Sequence, residues 1–247
     1  MASNKTMGIV LRGTNFGEAD KILTVLTERF GKIKVMAKGV RKIRSHLAGA
    51  LEPFVLSDLM LHEGKTFQIV AGAAIVNSFP SLHTDLKGIS KAFYVGEIAD
   101  KLVPENQKLP EIFDLLKIVF ESLEAEASSL VIRAFELKIM IASGFQPELY
   151  SCVHCKAKVK PGNNYWDGVE GGLICEECQR RERHGREISD EAIKLLRFFE
   201  KRTFEESTRL VVKSEASKEV ETVLGDYLTQ VLERELKSKV LLNKFGR

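Results

Sequence analysis

The chain has 247 residues, of which 44% are hydrophobic and 29% charged, and its formal net charge is +3. That length buries a substantial core in one large domain or two modest ones, and the composition argues against wholesale disorder. No apolar run approaches the length that spans a bilayer, and Met1 to Gly8 carries one lysine and no apolar stretch, so no secretory signal is expected.

In chain order, the first eighty residues read as β. Gly8 to Arg12 predicts a first strand and the β-branched run Ile22 to Thr27 a second. Lys32 to Lys38 alternates, with Ile33, Val35 and Ala37 on one face and Lys32, Lys34 and Lys38 on the other, which is expected to be the solvent face. Phe54 to His62 and Phe67 to Val76 give the fourth and fifth strands, with Glu63-Gly64-Lys65 as their hairpin. Five short strands without a long helix between them fit a small antiparallel barrel. The OB-fold is one such solution, beside an SH3-like barrel and a plain sandwich.

Near Ser78 to Leu86 the pattern breaks at Phe79-Pro80-Ser81, and beyond it the period turns helical. Ile112, Leu115, Leu116, Val119, Phe120 and Leu123 form one stripe behind Pro110, which suits a first helical turn. Leu130 to Ala142 is apolar on most sides and is expected to be a buried helix, with Gly144 at its C-cap. Ala192 to Phe199 and Val220 to Leu232 carry two further stripes, all read as core. The fold class is therefore α+β and multidomain, with an N-terminal domain over 1–80 and a helical domain over 81–247.

Charge is unevenly spread. Residues 1–80 hold 11 Lys/Arg against 6 Asp/Glu, and Arg29 to Arg44 contains seven basic residues and no acid. Lys32, Lys34, Lys38, Arg41, Lys42 and Arg44 make the footprint expected of a surface that tracks a phosphate backbone, although a merely solvated basic face has the same composition. Residues 1–80 hold five Phe and no Tyr or Trp, so binding is expected to be salt-sensitive and tolerant of sequence.

The sharpest motif is Cys152-x2-Cys155, nineteen residues, then Cys175-x2-Cys178. Two residues between thiols let both sulfurs of a knuckle reach one ion, and two knuckles complete a closed four-sulfur shell for one structural zinc. The lobe spans about 150–184. Two disulfides are the alternative and need an oxidising compartment. A closed site leaves no position for water, and Ser151 and Ile174 stand before the knuckles where a zinc deaminase would have other residues. His154 is read as a surface residue between ligands, and Tyr165 and Trp166 as the small core of the lobe. The five histidines are scattered, and no phosphate loop or nucleophile elbow is present, so the chain is not expected to be an enzyme.

Lys32-Ile33-Lys34-Val35-Met36-Ala37-Lys38-Gly39-Val40-Arg41, followed by Ser45-His46-Leu47-Ala48-Gly49-Ala50-Leu51-Glu52-Pro53-Phe54, resembles the bacterial recombination mediators of the RecO family. The order of parts agrees along nearly the whole chain, through Arg133-Ala134-Phe135-Glu136-Leu137, the cysteine knuckles and a closing Leu236-Lys237-Ser238. The resemblance implies an OB-fold followed by a helical domain with a four-cysteine zinc lobe, in a cytoplasmic, nucleoid-associated DNA repair protein. It further implies binding of single- and double-stranded DNA, strand annealing, and work with RecR to load RecA onto DNA coated by single-stranded-DNA-binding protein. The acidic C-terminal tail of that coating protein is expected at Arg133 and Leu137. Members of the family differ in whether they carry the cysteines, which implies a staple for the lobe and not the seat of activity. A zinc-bearing interaction scaffold without direct DNA binding is the competing function.

Overall fold

A computed structural model describes residues 3–125, 130–182 and 184–246. Five strands open the chain: β1 (Ser3–Phe16), β2 (Asp20–Thr27), β3 (Gly31–Ala37), β4 (Leu56–His62) and β5 (Gln68–Asn77). Helices α1 (Ser81–Thr84), α2 (Leu86–Leu102), α3 (Pro110–Glu124) and α4 (Leu130–Ala142) follow. Next come β6 (Asn164–Asp167), β7 (Gly172–Cys175), α5 (Glu176–Glu182) and β8 (Arg186–Ile188). The chain closes with α6 (Asp190–Lys201), α7 (Phe204–Thr208), α8 (Ser214–Leu232) and α9 (Lys237–Phe245). Contacts divide it into two compact units, Met1–Glu126 with Leu236–Arg247, and Ala127–Glu235.

In the first unit the strands pair in the order β1-β2-β3-β5-β4, and β4 returns to pair with β1. β1 is longer than the Gly8–Arg12 expected from sequence because it serves two neighbours. Its first half, Ser3 to Ile9, pairs with β4, and Gly8 to Phe16 pairs with β2. A register shift between Val10 and Arg12 lets one strand bend between them. The alternation of β3 holds on its apolar side: Ile33, Val35 and Ala37 are buried with Val10, Leu23, Val25, Leu59 and Leu61 inside the sheet. The β3–β5 contact is short and parallel, Val35 opposite Gln68 and Met36 opposite Ile69.

Helices α1 to α3 and α9 complete that unit. Phe54 packs edge-on to Phe93 of α2 with ring centroids 5.0 Å apart, and Phe120 of α3 lies 5.7 Å from both Phe54 and Phe79. Gly96 makes room for this cluster, since a Cβ there would meet the Phe54 ring at 2.4 Å. Glu97 of α2 accepts from the amides of Lys237 and Ser238 at 3.2 and 2.8 Å, which caps α9 and ties the chain's end to this unit.

The second unit is built on α4, whose side chains from Leu130 to Leu137 are all buried, as its apolar sequence implies. Gly144 adopts φ +89° just past the helix, and the Phe145 amide donates to the Met140 carbonyl at 2.8 Å, so the expected glycine stop is in place. Helices α6, α7 and α8 pack on α4. Lys138 of α4 donates through Nζ to the carbonyls of Phe199 (2.9 Å) and Arg202 (2.5 Å), supplying a cation where the carbonyls of α6 run out. β6 is the middle strand of a small sheet, flanked by β7 and β8. Trp166 on β6 is buried against Tyr227 of α8, while Tyr165 packs with Cys152, Ile174 and Cys178, so of the two aromatics expected in the lobe's core Tyr165 takes that place.

Candidate metal centre and nucleic-acid interface

The two knuckles are shaped by backbone geometry. Lys156 takes φ +62°, so the chain reverses after Cys155. The Cys152 carbonyl accepts from the Lys156 amide at 2.9 Å and the Cys152 amide donates to Ala157 at 2.8 Å. Cys175 ends β7, opposite Asn164, and Cys178 follows on the first turn of α5. All four cysteines are free thiols whose sulfurs lie within 4.8 Å of one another, and the Cys155 and Cys175 Sγ atoms are 3.7 Å apart. A tetrahedral ion at about 2.3 Å from each sulfur spaces the sulfurs by about 3.8 Å, so the donor set fits a metal of that geometry.

The thiols are electrostatically unequal. Burial raises Cys152, but the amides of Cys175, Cys155 and His154 together with the Cys155 thiol outweigh it and hold Cys152 down to about 6. Burial pushes Cys178 up to about 12, reinforced by the other three cysteines. Four thiols crowded together without a shared proton sink resist ionising together, and a cation among them removes that conflict.

The basic segment of the first unit separates into two groups. Lys32 is only 5% exposed, and its ammonium donates to the Asp100 carbonyl and faces the Asp100 carboxylate at 3.8 Å. The expectation that Lys32 shares a solvent face with Lys34 and Lys38 is therefore corrected, because α2 covers that end of β3. Lys34 is partly exposed and pairs with Glu105 at 2.7 Å. Lys38, Arg41, Lys42 and Arg44 are exposed on the loop after β3. That loop is fastened at its base: Asp20 accepts from the Gly39 amide at 2.7 Å, and the Arg41 guanidinium donates to the carbonyls of Gly17 and Glu18 at 3.2 and 3.0 Å. At its tip Ile43 is fully exposed among the cations. The arrangement presents four positive side chains from a braced loop.

Arg133 and Leu137 do not form an open surface. Leu137 is fully buried, and Arg133, 7% exposed, pairs with Glu136 at 3.2 Å and Glu221 at 4.0 Å. Both lie on the packed side of α4. The second unit instead has an apolar pocket of about 310 Å³ lined by Leu195, Phe198, Leu210, Val212 and Ala216, with Lys194, Lys213 and the acidic Glu191 beside them. Leu195 is buried, as its periodicity implies, and Leu210 and Val212 fall in the irregular segment between α7 and α8, where no period marks them.

Residues 1–79 match the family model of the N-terminal part of recombination protein O, and residues 83–240 match that of its C-terminal part. The chain belongs to the RecO family. Relatives named DNA repair protein RecO from Roseiflexus sp. (strain RS-1) and Dehalococcoides mccartyi (strain ATCC BAA-2266 / KCTC 15142 / 195) are 35% and 36% identical over 240 and 244 residues. The alignments cover 97% and 98% of this chain and 84% and 96% of theirs. A further RecO from Desulforudis audaxviator (strain MP104C) is 33% identical across 100% of this chain and 98% of its own. The basic loop falls in the part matched by the N-terminal RecO model, and the four cysteines and the apolar pocket fall in the part matched by the C-terminal one. Among the described residues no helix is long and apolar enough to cross a membrane.

Proposed function

We propose that this RecO-family chain is a non-enzymatic mediator of DNA repair and homologous recombination, working in the cytoplasm on the nucleoid. In this reading it binds single- and double-stranded DNA and anneals complementary strands. With RecR it helps load RecA onto DNA coated by single-stranded-DNA-binding protein. The observation that carries the proposal is the braced loop with Lys38, Arg41, Lys42 and Arg44 exposed, in a stretch from Arg29 to Arg44 that holds no acid. Four cations on one rigid loop neutralise phosphates without reading bases. Lys34 lies beside them on β3, while Lys32 is assigned to structure.

The strand order β1-β2-β3-β5-β4 with return to β1 supports assigning the first unit's sheet to the OB-fold, whose open face commonly takes single strands. Cys152, Cys155, Cys175 and Cys178 are assigned to one structural zinc. Once bound, the ion would fix the two knuckles and supply folding energy to the lobe. The acidic, hydrophobic tail of the coating protein is assigned to the second unit's pocket, with Leu195 and Phe198 for its apolar side chains and Lys194 and Lys213 for its carboxylates. Arg133 and Leu137 then contribute by holding α4 in place.

The test is annealing of complementary oligonucleotides precoated with the cognate binding protein, with and without its acidic tail. The proposal expects annealing of bare DNA and of DNA coated by the full-length binding protein, and a marked loss on coated DNA when the tail is removed. Absence of annealing together with absence of salt-dependent DNA affinity would select the scaffold function instead.

A further inference from the structure

The zinc lobe holds a second convergence of ligand atoms that its cysteines do not use. Asp167, the last residue of β6, is 2% exposed at its side chain. Its Oδ1 is fixed by the amides of Val169 and Glu170 at 2.8 and 3.0 Å. Its Oδ2 faces two imidazoles from separate segments: His154 Nε2 at 3.2 Å, from within the first knuckle, and His184 Nε2 at 2.8 Å, two residues before β8. The three ligand atoms lie within 4.8 Å of one another, and the rings stand edge to face with centroids 5.4 Å apart.

We propose that His154, Asp167 and His184 form a second metal site, for a divalent first-row transition ion of the zinc class. Nitrogen and oxygen ligands bind such an ion at about 2.1 Å, and at that radius separations of 2.8 and 3.2 Å correspond to ligand–metal–ligand angles of about 84° and 99°. These are cis angles of ordinary coordination. The set is two histidines and one carboxylate, which suits zinc, cobalt, nickel or iron and not calcium or magnesium. The amides on Oδ1 orient the carboxylate as an outer shell orients a ligand. Three protein ligands leave the coordination sphere incomplete, and both histidines reach solvent, so the remaining positions are open to water or an anionic oxygen. This site is independent of the DNA-binding reading, and its ligands are distinct from the four cysteines.

The experiment is a metal count on the full chain. Protein carrying one zinc is titrated with Co2+, followed by absorption and by elemental analysis after desalting. The site predicts a second ion per chain whose spectrum shows weak ligand-field bands and no additional thiolate charge transfer. His184→Ala removes an outward-facing ligand, and Asp167→Asn keeps an oxygen for the Val169 and Glu170 amides while removing the carboxylate charge. Both variants are expected to hold one ion and to retain full thiolate charge transfer when the first site is itself loaded with Co2+, which shows the lobe still folded. A wild-type count of one at saturating Co2+ overturns the proposal whatever the variants do, and so does a second ion retained in both. The trio is then only two histidines hydrogen-bonded to Asp167.

Discussion

Lys32→Met tests whether Lys32 is structural or belongs with the cations proposed to face DNA. Asp100 lies in the last turn of α2, and its carbonyl has no partner four residues on because residue 104 is proline. The Lys32 ammonium fills that role and places a cation at the helix C-terminus. Burial depresses the Lys32 pKa below 10.5, while Asp100 and Glu105 oppose the shift. Methionine keeps the aliphatic stem and removes the ammonium. Asp100 retains its carboxylate partner, since Arg12 stays at 2.8 Å, so no charge is orphaned. The loss is then one buried carbonyl without a donor, about 1–3 kcal/mol, plus about 0.3–1 kcal/mol of helix-end electrostatics. Relief of the ammonium's own desolvation offsets part of this, leaving about 2 kcal/mol. Denaturant unfolding should show a lower midpoint at unchanged slope, and fluorescence binding to a single-stranded oligonucleotide should show wild-type affinity. Unchanged stability with weakened, less salt-sensitive binding would refute the assignment and return Lys32 to the DNA face.

Three further outcomes are expected. Cys178→Ser should abolish tight binding of the thiolate-site ion and expose the amides of β6 and β7 to rapid hydrogen exchange, because a structural zinc supplies most of such a lobe's folding energy, and exchange as slow as wild type would contradict the staple role. Gly31→Ala should destabilise the first unit by more than about 2 kcal/mol, since φ is +69° and a Cβ would sit 1.8 Å from the Gln107 carbonyl oxygen; urea unfolding measures it. Burial and the hydrogen bond to Glu200 push Tyr150 up to about 12 from 10.0. The folded state therefore holds that proton more tightly, and the stability it contributes is full below pH 10 and lost as pH rises through 12. Burial also raises Tyr227, so tyrosinate absorbance should show a late-titrating fraction that Tyr150→Phe reduces without abolishing.

Much of this architecture is legible in the residues. The alternation of Ile33, Val35 and Ala37 and the stripes of α3, α4, α6 and α8 report burial directly, because each period matches its element. β1 was read short because its ends are polar and pair through backbone, which carries no side-chain signature. Lys32 was misplaced because alternation tells which face a residue takes and not what covers that face; α2 covers it from nearly seventy residues away. β6 to β8 were missed because three- and four-residue strands are too short to show a period. The cysteine spacing was local and readable, whereas Asp167 becomes a partner of His154 and His184 only after the knuckles fold. Arg133 and Leu137 came from resemblance alone, and burial gives them to the α4 core.

If the exposed basic loop binds the DNA backbone as proposed, the salt dependence of affinity shows it most directly. Lys38, Lys42 and Arg44 are changed together to Gln, while Arg41 stays because it fastens the loop. Affinity for a single-stranded oligonucleotide is then measured across a salt series for wild type and variant. Each lost phosphate contact lowers the slope of log affinity against log salt by about 0.7, so the variant slope is expected to be shallower by about 2 and the affinities to converge at high salt. Parallel lines of equal affinity would contradict it.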